Sequence, residues 1–140
     1  MPFTKIWIHV IWSTKNREKI ISQELKPLLL EHIVENAKHK GIFIKVINCM
    51  SDHIHLLISL GREQSISTVV MLIKGESSHW VNKEKLLKCK FEWQDEYIAI
   101  SVSESLVEKV FDYIKNQDEH HKVKSFEEEY NLFVKKYNFG

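Results

Sequence analysis

The chain has 140 residues, of which 44% are hydrophobic and 28% charged, a length and composition typical of one globular domain over residues 1–140. Twenty Lys and Arg residues against 19 Asp and Glu residues give a formal net charge of +1, so any site for an anion must be local. Two cysteines, Cys49 and Cys89, are too few for a disulfide framework, which favours a reducing, cytoplasmic setting. The sequence shows neither a signal-peptide pattern nor a long apolar run, so we expect no association with a membrane.

The N-terminal segment predicts a strand followed by a helix. Residues Thr4–Ser13 alternate between two faces and are rich in β-branched and aromatic side chains, which is typical of a strand. From Gln23 to Lys40, apolar residues recur at helical spacing. Ser22 is a suitable N-cap for this helix, and Gly41 is a suitable stop.

The middle of the chain predicts a strand pair, a second helix and a fourth strand. The apolar runs Ile42–Cys49 and His53–Leu60 are separated by three residues, which favours two antiparallel strands joined by a short turn. Apolar residues recur at helical spacing over Ile66–Val81, which predicts the second helix. Side chains of Tyr97–Val102 alternate between two faces, which predicts the fourth strand.

The resulting order, β-α-β-β-α-β, predicts an α+β fold of the ferredoxin-like or RRM-like type, with an antiparallel sheet and its helices on one face. Two C-terminal helices follow. One runs from Ser105 to about Lys122 and carries Tyr113, and a capping box between Ser125 and Glu128 begins the last.

Two histidines stand on the third predicted strand. Alternation sends His53 and His55 to one face and only aliphatic residues to the other, so the histidines are expected to point from the uncovered face. Their Cβ atoms lie about 7 Å apart. Two such imidazoles can bind one divalent cation, each through one ring nitrogen, while the other nitrogen of each ring is hydrogen-bonded to a neighbouring acceptor. The alternative is a half-exposed strand whose histidines contact water.

Tyr113 and Gln117 are four residues apart, so they project on neighbouring sectors of one helix. Lys109 and His120 fall on the same side. Taken singly, Tyr113 is typical of the rim of an amphipathic helix and Gln117 of a solvated surface. With the histidine pair they indicate more: a cation held by two imidazoles and a carboxamide keeps its charge for phosphate oxygens, while a nearby tyrosine attacks phosphorus. This combination predicts phosphodiester cleavage.

In this order along the chain, these features resemble the HUH endonuclease superfamily, and specifically the single-strand DNA transposases of the IS200/IS605 type, the Y1 transposases. The resemblance covers nearly the whole chain and is carried by Ser13–Arg17, Asp52–Leu57, Phe91–Asp95, Tyr97–Ser103, Tyr113–Gln117 with His120–Lys122, and Phe126–Tyr130. One residue departs from it: Glu96 stands where a loop glycine is expected.

The resemblance implies a chemical role for four residues. His53 and His55 would ligate Mg²⁺ or Mn²⁺, and Gln117 would be the third protein ligand. Tyr113 would be the nucleophile, forming a 5′-phosphotyrosine link and a free 3′-hydroxyl at hairpin-bearing ends of single-stranded DNA. The covalent bond conserves the energy of the phosphodiester, so no ATP is needed. The sequence does not identify the general base that takes the phenol proton; His120 is one candidate and a metal-bound water is another.

The resemblance also implies an obligate homodimer in which the tyrosine helix completes the partner's metal site. We therefore expect Tyr113 and Gln117 to serve a His53/His55 pair in trans in at least one state.

DNA contacts are expected from two local basic clusters, although a solvated surface is the alternative for each. The first is Lys15, Arg17 and Lys19, and the second contains Lys83 and Lys85, with Lys88 and Lys90.

Three other functions stay open at this point. They are a tyrosine nuclease associated with dispersed palindromic repeats, a zinc hydrolase using His53, His55 and His120, and a non-catalytic RRM-like nucleic-acid-binding module. A histidine pair where stacking aromatics would be expected argues against the last.

Overall fold

A computed structural model of the chain describes residues 2–120, 125–137 and 139, without the side chains of residues 119 and 120. Its elements follow the predicted order. They are β1 (Trp7–Ser13), α1 (Leu25–His39), β2 (Phe43–Cys49), β3 (His53–Ser59), α2 (Ile66–Lys83), β4 (Ile98–Val102), α3 (Val107–Lys115), α4 (Gln117–His120) and α5 (Phe126–Tyr137). Among the described helices, none has the length and apolar character to cross a bilayer.

The strands form an antiparallel sheet in the order β2-β3-β1-β4. The predicted α+β class is confirmed, while the ends of single elements differ from the prediction. The first strand begins at Trp7 rather than Thr4, because Trp7 is the first residue of β1 with partners on both sides, Ser59 of β3 and Val102 of β4.

The main core lies between one face of the sheet and helices α1 and α2. The aliphatic residues of β3 that alternate with the histidines, Ile54, Leu56 and Ile58, are buried there. Helix α1 begins where the Ser22 hydroxyl accepts a hydrogen bond from the Leu25 amide at 3.1 Å. It ends before Gly41, whose φ of +70° needs a residue without a side chain. The predicted stop at Gly41 agrees with the structure, whereas Ser22 bonds the first helical amide from three residues earlier and Glu24 occupies the N-cap position.

The second face of the sheet is covered rather than open. Helix α3 packs Val107 and Ile114 against Trp7 and Leu57 of the sheet, and α5 packs Phe126 on the same face, next to β1 and β4. The expectation that His53 and His55 point from an uncovered face is therefore wrong. Both side chains are 0% exposed, because the C-terminal helices form a second layer over them.

The loop that carries Glu96 is held through its backbone. The ammonium group of Lys74 donates to the carbonyl oxygens of Gln94, Asp95 and Glu96 at 2.6, 2.9 and 3.1 Å. Glu96 is also absent from the residues that have a positive φ. A glycine is therefore not needed to shape this loop, which explains how the chain accommodates its departure from the expected pattern.

Candidate active site

Strand β3 holds the two histidines side by side in the covered face, and a neighbouring group contacts the Nδ1 atom of each. His53 Nδ1 lies 2.7 Å from an Asp52 carboxylate oxygen. His55 Nδ1 lies 2.9 Å from Nε2 of His9 on β1. The Nδ1 atom of each ring is engaged in a hydrogen bond, so the Nε2 atom is the one that can coordinate a cation.

A carboxylate from the last helix meets these Nε2 atoms. Glu129 of α5 is only 5% exposed, and its Oε1 lies 2.9 Å from His55 Nε2 and 3.8 Å from His53 Nε2. One ligand atom from each of the three residues lies within 4.8 Å of the others. A buried set of two imidazole nitrogens and one carboxylate oxygen fits a divalent cation.

Tyr113 of α3 is hydrogen-bonded to the same carboxylate. Its hydroxyl donates a hydrogen bond to Glu129 Oε2. Its ring centroid lies 5.9 Å from that of His55 and 6.1 Å from that of His9. The carboxylate thus joins the phenol to the histidine pair, and the described chain brings Tyr113 to its own His55.

The electrostatics of this contact keep the proton on the phenol. Burial, followed by the hydrogen bond and negative charge of Glu129, raises the pKa of Tyr113 above its usual value. Burial alone would also raise the pKa of Glu129, but the hydrogen bond and charge of His55, the Tyr113 hydrogen bond and the charge of His53 together lower it to about 2. At neutral pH the site therefore contains a neutral phenol beside an ionised carboxylate.

This coupling predicts the effect of Glu129→Gln. Removing the carboxylate charge removes a cause that disfavours the phenolate, so the pKa of Tyr113 should fall toward its usual value, by at least about one unit. Ultraviolet difference titration of the variant with and without Tyr113→Phe isolates this phenol. Glu127→Gln, an exposed change on the same helix, is the matched control and should leave the pKa unchanged. A pKa of Tyr113 equal in wild type and Glu129→Gln would contradict the coupling.

A break in the predicted helix positions Gln117. The segment from Ser105 to Lys122 is not one helix, because α3 ends at Lys115 and α4 begins at Gln117. Asn48 of β2 explains the break, since its amide group donates to the carbonyl oxygens of Ile114 and Lys115 at 2.9 and 3.2 Å. These carbonyls would otherwise accept bonds from the next turn of a continuous helix.

The Gln117 side chain is fully buried rather than a solvated surface amide. Its Nε2 donates to the Tyr113 carbonyl at 3.2 Å. Within the described part of the chain, its buried Oε1 has no hydrogen-bond partner. An amide oxygen in this state is suited to coordinate a cation.

The first basic cluster lies next to the histidine pair. Ser13, at the end of β1, pairs with His53, and the cluster follows directly. The Arg17 guanidinium lies 5.3 Å from the ring centroid of Phe126, and that ring stacks on His53 with centroids 4.2 Å apart. Lys15 forms an ion pair with Glu92 at 3.1 Å. Arg17 of this cluster therefore lies one aromatic ring away from His53.

The other predicted site residues are not brought to this place. Lys83 and Lys85 are exposed and lie at the end of α2, a helix that packs on the opposite face of the sheet. Lys19, the last residue of the first cluster, is exposed. The side chain of His120 lies outside the described residues.

Two residues of the site, Glu129 and His9, are not among the sequence-based predictions. Glu129 did leave a signal, since it lies on the apolar side of α5 with Phe126, Tyr130 and Phe133. A carboxylate on such a stripe needs a buried partner. His9 lies in the same alternation phase of β1 as Ile11, toward the face that carries the histidine pair.

Comparison with known proteins finds relatives of one family. A family model described as "Transposase IS200 like" matches residues 2–117. The ISDra2 transposase TnpA of Deinococcus radiodurans is 30% identical over 115 residues, which cover 78% of this chain and 81% of that protein. The transposase for insertion sequence element IS200 of Salmonella typhimurium is 27% identical over 120 residues, covering 82% and 78%.

Two solved structures share the fold. A crystal structure described as a transposase from Deinococcus radiodurans R1 has a TM-score of 0.67 and 26% identity, covering 83% of this chain and 93% of that one. The structure of a REP-associated tyrosine transposase bound to a REP hairpin has a TM-score of 0.62 and 17% identity, covering 86% and 72%. The family match includes His53, His55, Tyr113 and Gln117 and ends at the last of these. The chain therefore belongs to the family of IS200-like transposases.

Proposed function

We propose that this transposase cleaves and rejoins single-stranded DNA at hairpin-bearing ends through a 5′-phosphotyrosine intermediate. The observation that carries the proposal is the shared carboxylate: Glu129 contacts both the Tyr113 hydroxyl and His55 Nε2. A nucleophile and a cation site that meet at one residue suit attack on a phosphate. The fold-level likeness to a tyrosine transposase bound to a DNA hairpin is consistent with the substrate class.

The proposed cofactor is Mg²⁺ or Mn²⁺, held by His53, His55 and Gln117. Glu129 would contribute a further oxygen and leave a net charge of +1 among otherwise neutral ligands. A divalent cation held there supplies positive charge that polarises the phosphate and stabilises the charge on its oxygens during cleavage. Support comes from the buried donor set and from the Gln117 oxygen described above.

The residues of the chain itself then form and break the bonds to phosphorus. The Tyr113 oxygen forms a bond to phosphorus while the bond from phosphorus to the 3′-oxygen breaks, and that oxygen gains a proton from solvent. As the new bond forms, the phenolic proton becomes more acidic and passes to Glu129, its hydrogen-bond acceptor. Rejoining is the reverse, in which a 3′-hydroxyl attacks the phosphotyrosine and releases the phenol.

The DNA would approach over the first basic cluster. A cavity of 910 Å³ opens beside Arg17 and is lined by Asn16, Gln94, Tyr97 and Tyr130, among others. It is wide enough for an unpaired nucleotide, and aromatic walls with a guanidinium suit a base and its phosphate. Lys15 and Lys19 would contact the neighbouring backbone. Lys83 and Lys85, on the other side of the sheet, would contact only DNA that extends around the molecule.

The proposed assembly is a homodimer in which Tyr113 and Gln117 serve the partner's histidine pair in at least one state. The family resemblance supports this arrangement, whereas the described chain has the contact between Tyr113 and His55 in cis. We also propose that residues 1–140 act as one domain in the cytoplasm, a setting suited to the free thiols of Cys49 and Cys89.

The function is tested with single-stranded DNA that flanks the coding region on either side. With Mg²⁺ or Mn²⁺, a label on the 3′ portion should move to the protein and survive denaturing electrophoresis, and a label on the 5′ portion should leave as a fragment with a 3′-hydroxyl. A chelator should prevent both results. The same DNA with its palindrome scrambled is the control. Transfer of the 5′ portion to the protein, or no adduct with either flank, would contradict the proposal.

The rival functions make different predictions in this assay. A zinc hydrolase would cut without an adduct, and a binding module would form neither product. A nuclease serving dispersed palindromic repeats would form the adduct, but its hairpins would be scattered along the genome. Imperfect palindromes at both ends of the coding region favour the transposase, and the 30% identity to the ISDra2 transposase supports that choice.

A further inference from the structure

His9 is a buried imidazole that the proposed chemistry does not use. It lies on β1, is 5% exposed, and points to the same face as the histidine pair. Its Nε2 is 2.9 Å from His55 Nδ1, and the two ring centroids are 5.2 Å apart. The rings of Tyr113 and Phe133 contact it edge-on at 6.1 and 5.9 Å. A polar ring enclosed in this way needs a defined partner, and His55 provides it.

The proton positions follow from what a cation ligand requires. To coordinate through Nε2, the His55 ring must keep a lone pair there, so its proton must be on Nδ1. That proton then needs an acceptor inside the buried site. His9 Nε2 lies within hydrogen-bond distance of Nδ1 and is in place to accept it.

His9 is suited to accept this bond because of where its Nε2 lies. Two ring nitrogens 2.9 Å apart share a hydrogen bond when one carries the proton and the other keeps its lone pair. A neutral imidazole has one acceptor nitrogen, and with its proton on Nδ1 the acceptor is Nε2. His53 has the corresponding arrangement, with the Asp52 carboxylate as acceptor. The two ligands would thus be oriented by different groups.

We propose that His9 is a positioning residue: it accepts the Nδ1 hydrogen of His55 and so fixes the ring and the tautomer that present Nε2 to the divalent cation. This inference rests on the proposed metal site. It adds a function for a residue that contacts neither the phosphate nor the cation.

The test measures binding of Mn²⁺ alone to the metal-free protein by calorimetry. His9→Leu fills a similar space without an acceptor and should weaken Mn²⁺ binding about 10- to 100-fold, as losses of such supporting groups do. His9→Gln has an amide oxygen at the same number of bonds from the backbone as Nε2 and should restore most of the affinity. If His9 served only to fill space, His9→Gln would not bind Mn²⁺ more tightly than His9→Leu.

His32→Leu is the matched control. That imidazole is also partly buried, stacks on Trp80 with centroids 3.9 Å apart and pairs with Glu76 at 2.8 Å, but on the opposite face of the sheet. Its loss should leave Mn²⁺ affinity unchanged. Equal affinity in wild type, His9→Leu and His9→Gln would overturn the inference while leaving the metal site intact. Failure of wild type to bind Mn²⁺ would overturn the proposed metal site and this inference together.

A second measurement needs no substitution that could disturb folding. Nitrogen NMR of histidine-labelled wild type, saturated with Mg²⁺, reports which nitrogen of His55 carries the proton. The inference requires a protonated Nδ1 whose signal shows coupling or contact to His9. A proton on Nε2 of His55 in the Mg²⁺-bound protein would overturn it.

Discussion

Replacing Tyr113 with phenylalanine is expected to abolish the covalent protein–DNA adduct. The substitution removes one oxygen, the atom that forms the bond to phosphorus, and leaves a ring of nearly the same shape against His9, His55 and Phe133. Loss of a covalent nucleophile costs about 10⁴-fold or more in rate. Labelled hairpin DNA and denaturing electrophoresis measure the adduct, which should fall below detection.

The same variant should still fold and bind DNA. The Tyr113 hydroxyl is bonded to Glu129, and that carboxylate keeps its hydrogen bond to His55, so the expected loss of stability is about 1 kcal/mol. Gel shifts with uncleaved hairpin DNA should match those of wild type. Tyr137→Phe, a change of a partly exposed tyrosine on α5, is the control and should retain the adduct. An adduct that persists in Tyr113→Phe and disappears in Tyr137→Phe would assign the nucleophile to α5.

The sheet and the histidine pair could be predicted from sequence because both depend on local patterns. Alternation in a strand fixes which side chains share a face, so the placement of His53 and His55 together follows from β3 alone. Capping residues such as Ser22 and Gly41 act within one turn of a helix. Such features need no knowledge of what packs on the element.

The covering of the second face depends on contacts between distant segments, and only an indirect sign of it was present. Leu57 of β3 and Ile11 of β1 lie on the histidine face. Strands that are apolar on both faces are typical of sheets buried on both sides. The histidines of β3 favour a face toward solvent, whereas Leu57 and Ile11 favour a covered one, and strand alternation alone does not decide between the two.

Glu129 and the break after α3 show the same limit at the site itself. Glu129 is 74 residues away from His55 in sequence, so its contact depends on where α5 packs, which no periodicity determines. The break at Asn116 depends on Asn48, a residue of β2 that donates to the end of α3. Helical spacing continues through this segment, and the pattern alone therefore predicts one helix.

Replacing His53 with alanine is expected to abolish cleavage as completely as Tyr113→Phe does, but for a different reason. The change removes an imidazole nitrogen of the proposed cation site, one of the ligand atoms that lie within 4.8 Å of one another, and leaves Tyr113 in place. Mn²⁺ affinity should fall together with adduct formation. Normal Mn²⁺ affinity in His53→Ala would remove His53 from the ligand set.

Because His53→Ala and Tyr113→Phe damage different parts of the site, heterodimers of the two variants can separate a cis site from a trans site. Each chain is given its own affinity tag, the two are co-expressed, and the mixed dimer is purified through both tags. If the tyrosine of one chain serves the histidines of the other, the mixed dimer has one intact site and should show about half of wild-type activity per dimer. If each chain builds its own site, the mixed dimer should be inactive.

The reciprocal heterodimer gives the opposite result and so makes the test decisive. It pairs wild type with a chain that carries both substitutions. In a trans arrangement, one site combines the wild-type histidines with a helix that lacks the tyrosine hydroxyl. The other combines the wild-type Tyr113 with a histidine pair that lacks His53, so both sites are inactive. In cis, the wild-type chain keeps one complete site and about half of the activity. We expect the first heterodimer to be active, since the trans arrangement is proposed for at least one state. Activity confined to the reciprocal heterodimer would show that the contact between Tyr113 and His55 of one chain is the catalytic arrangement.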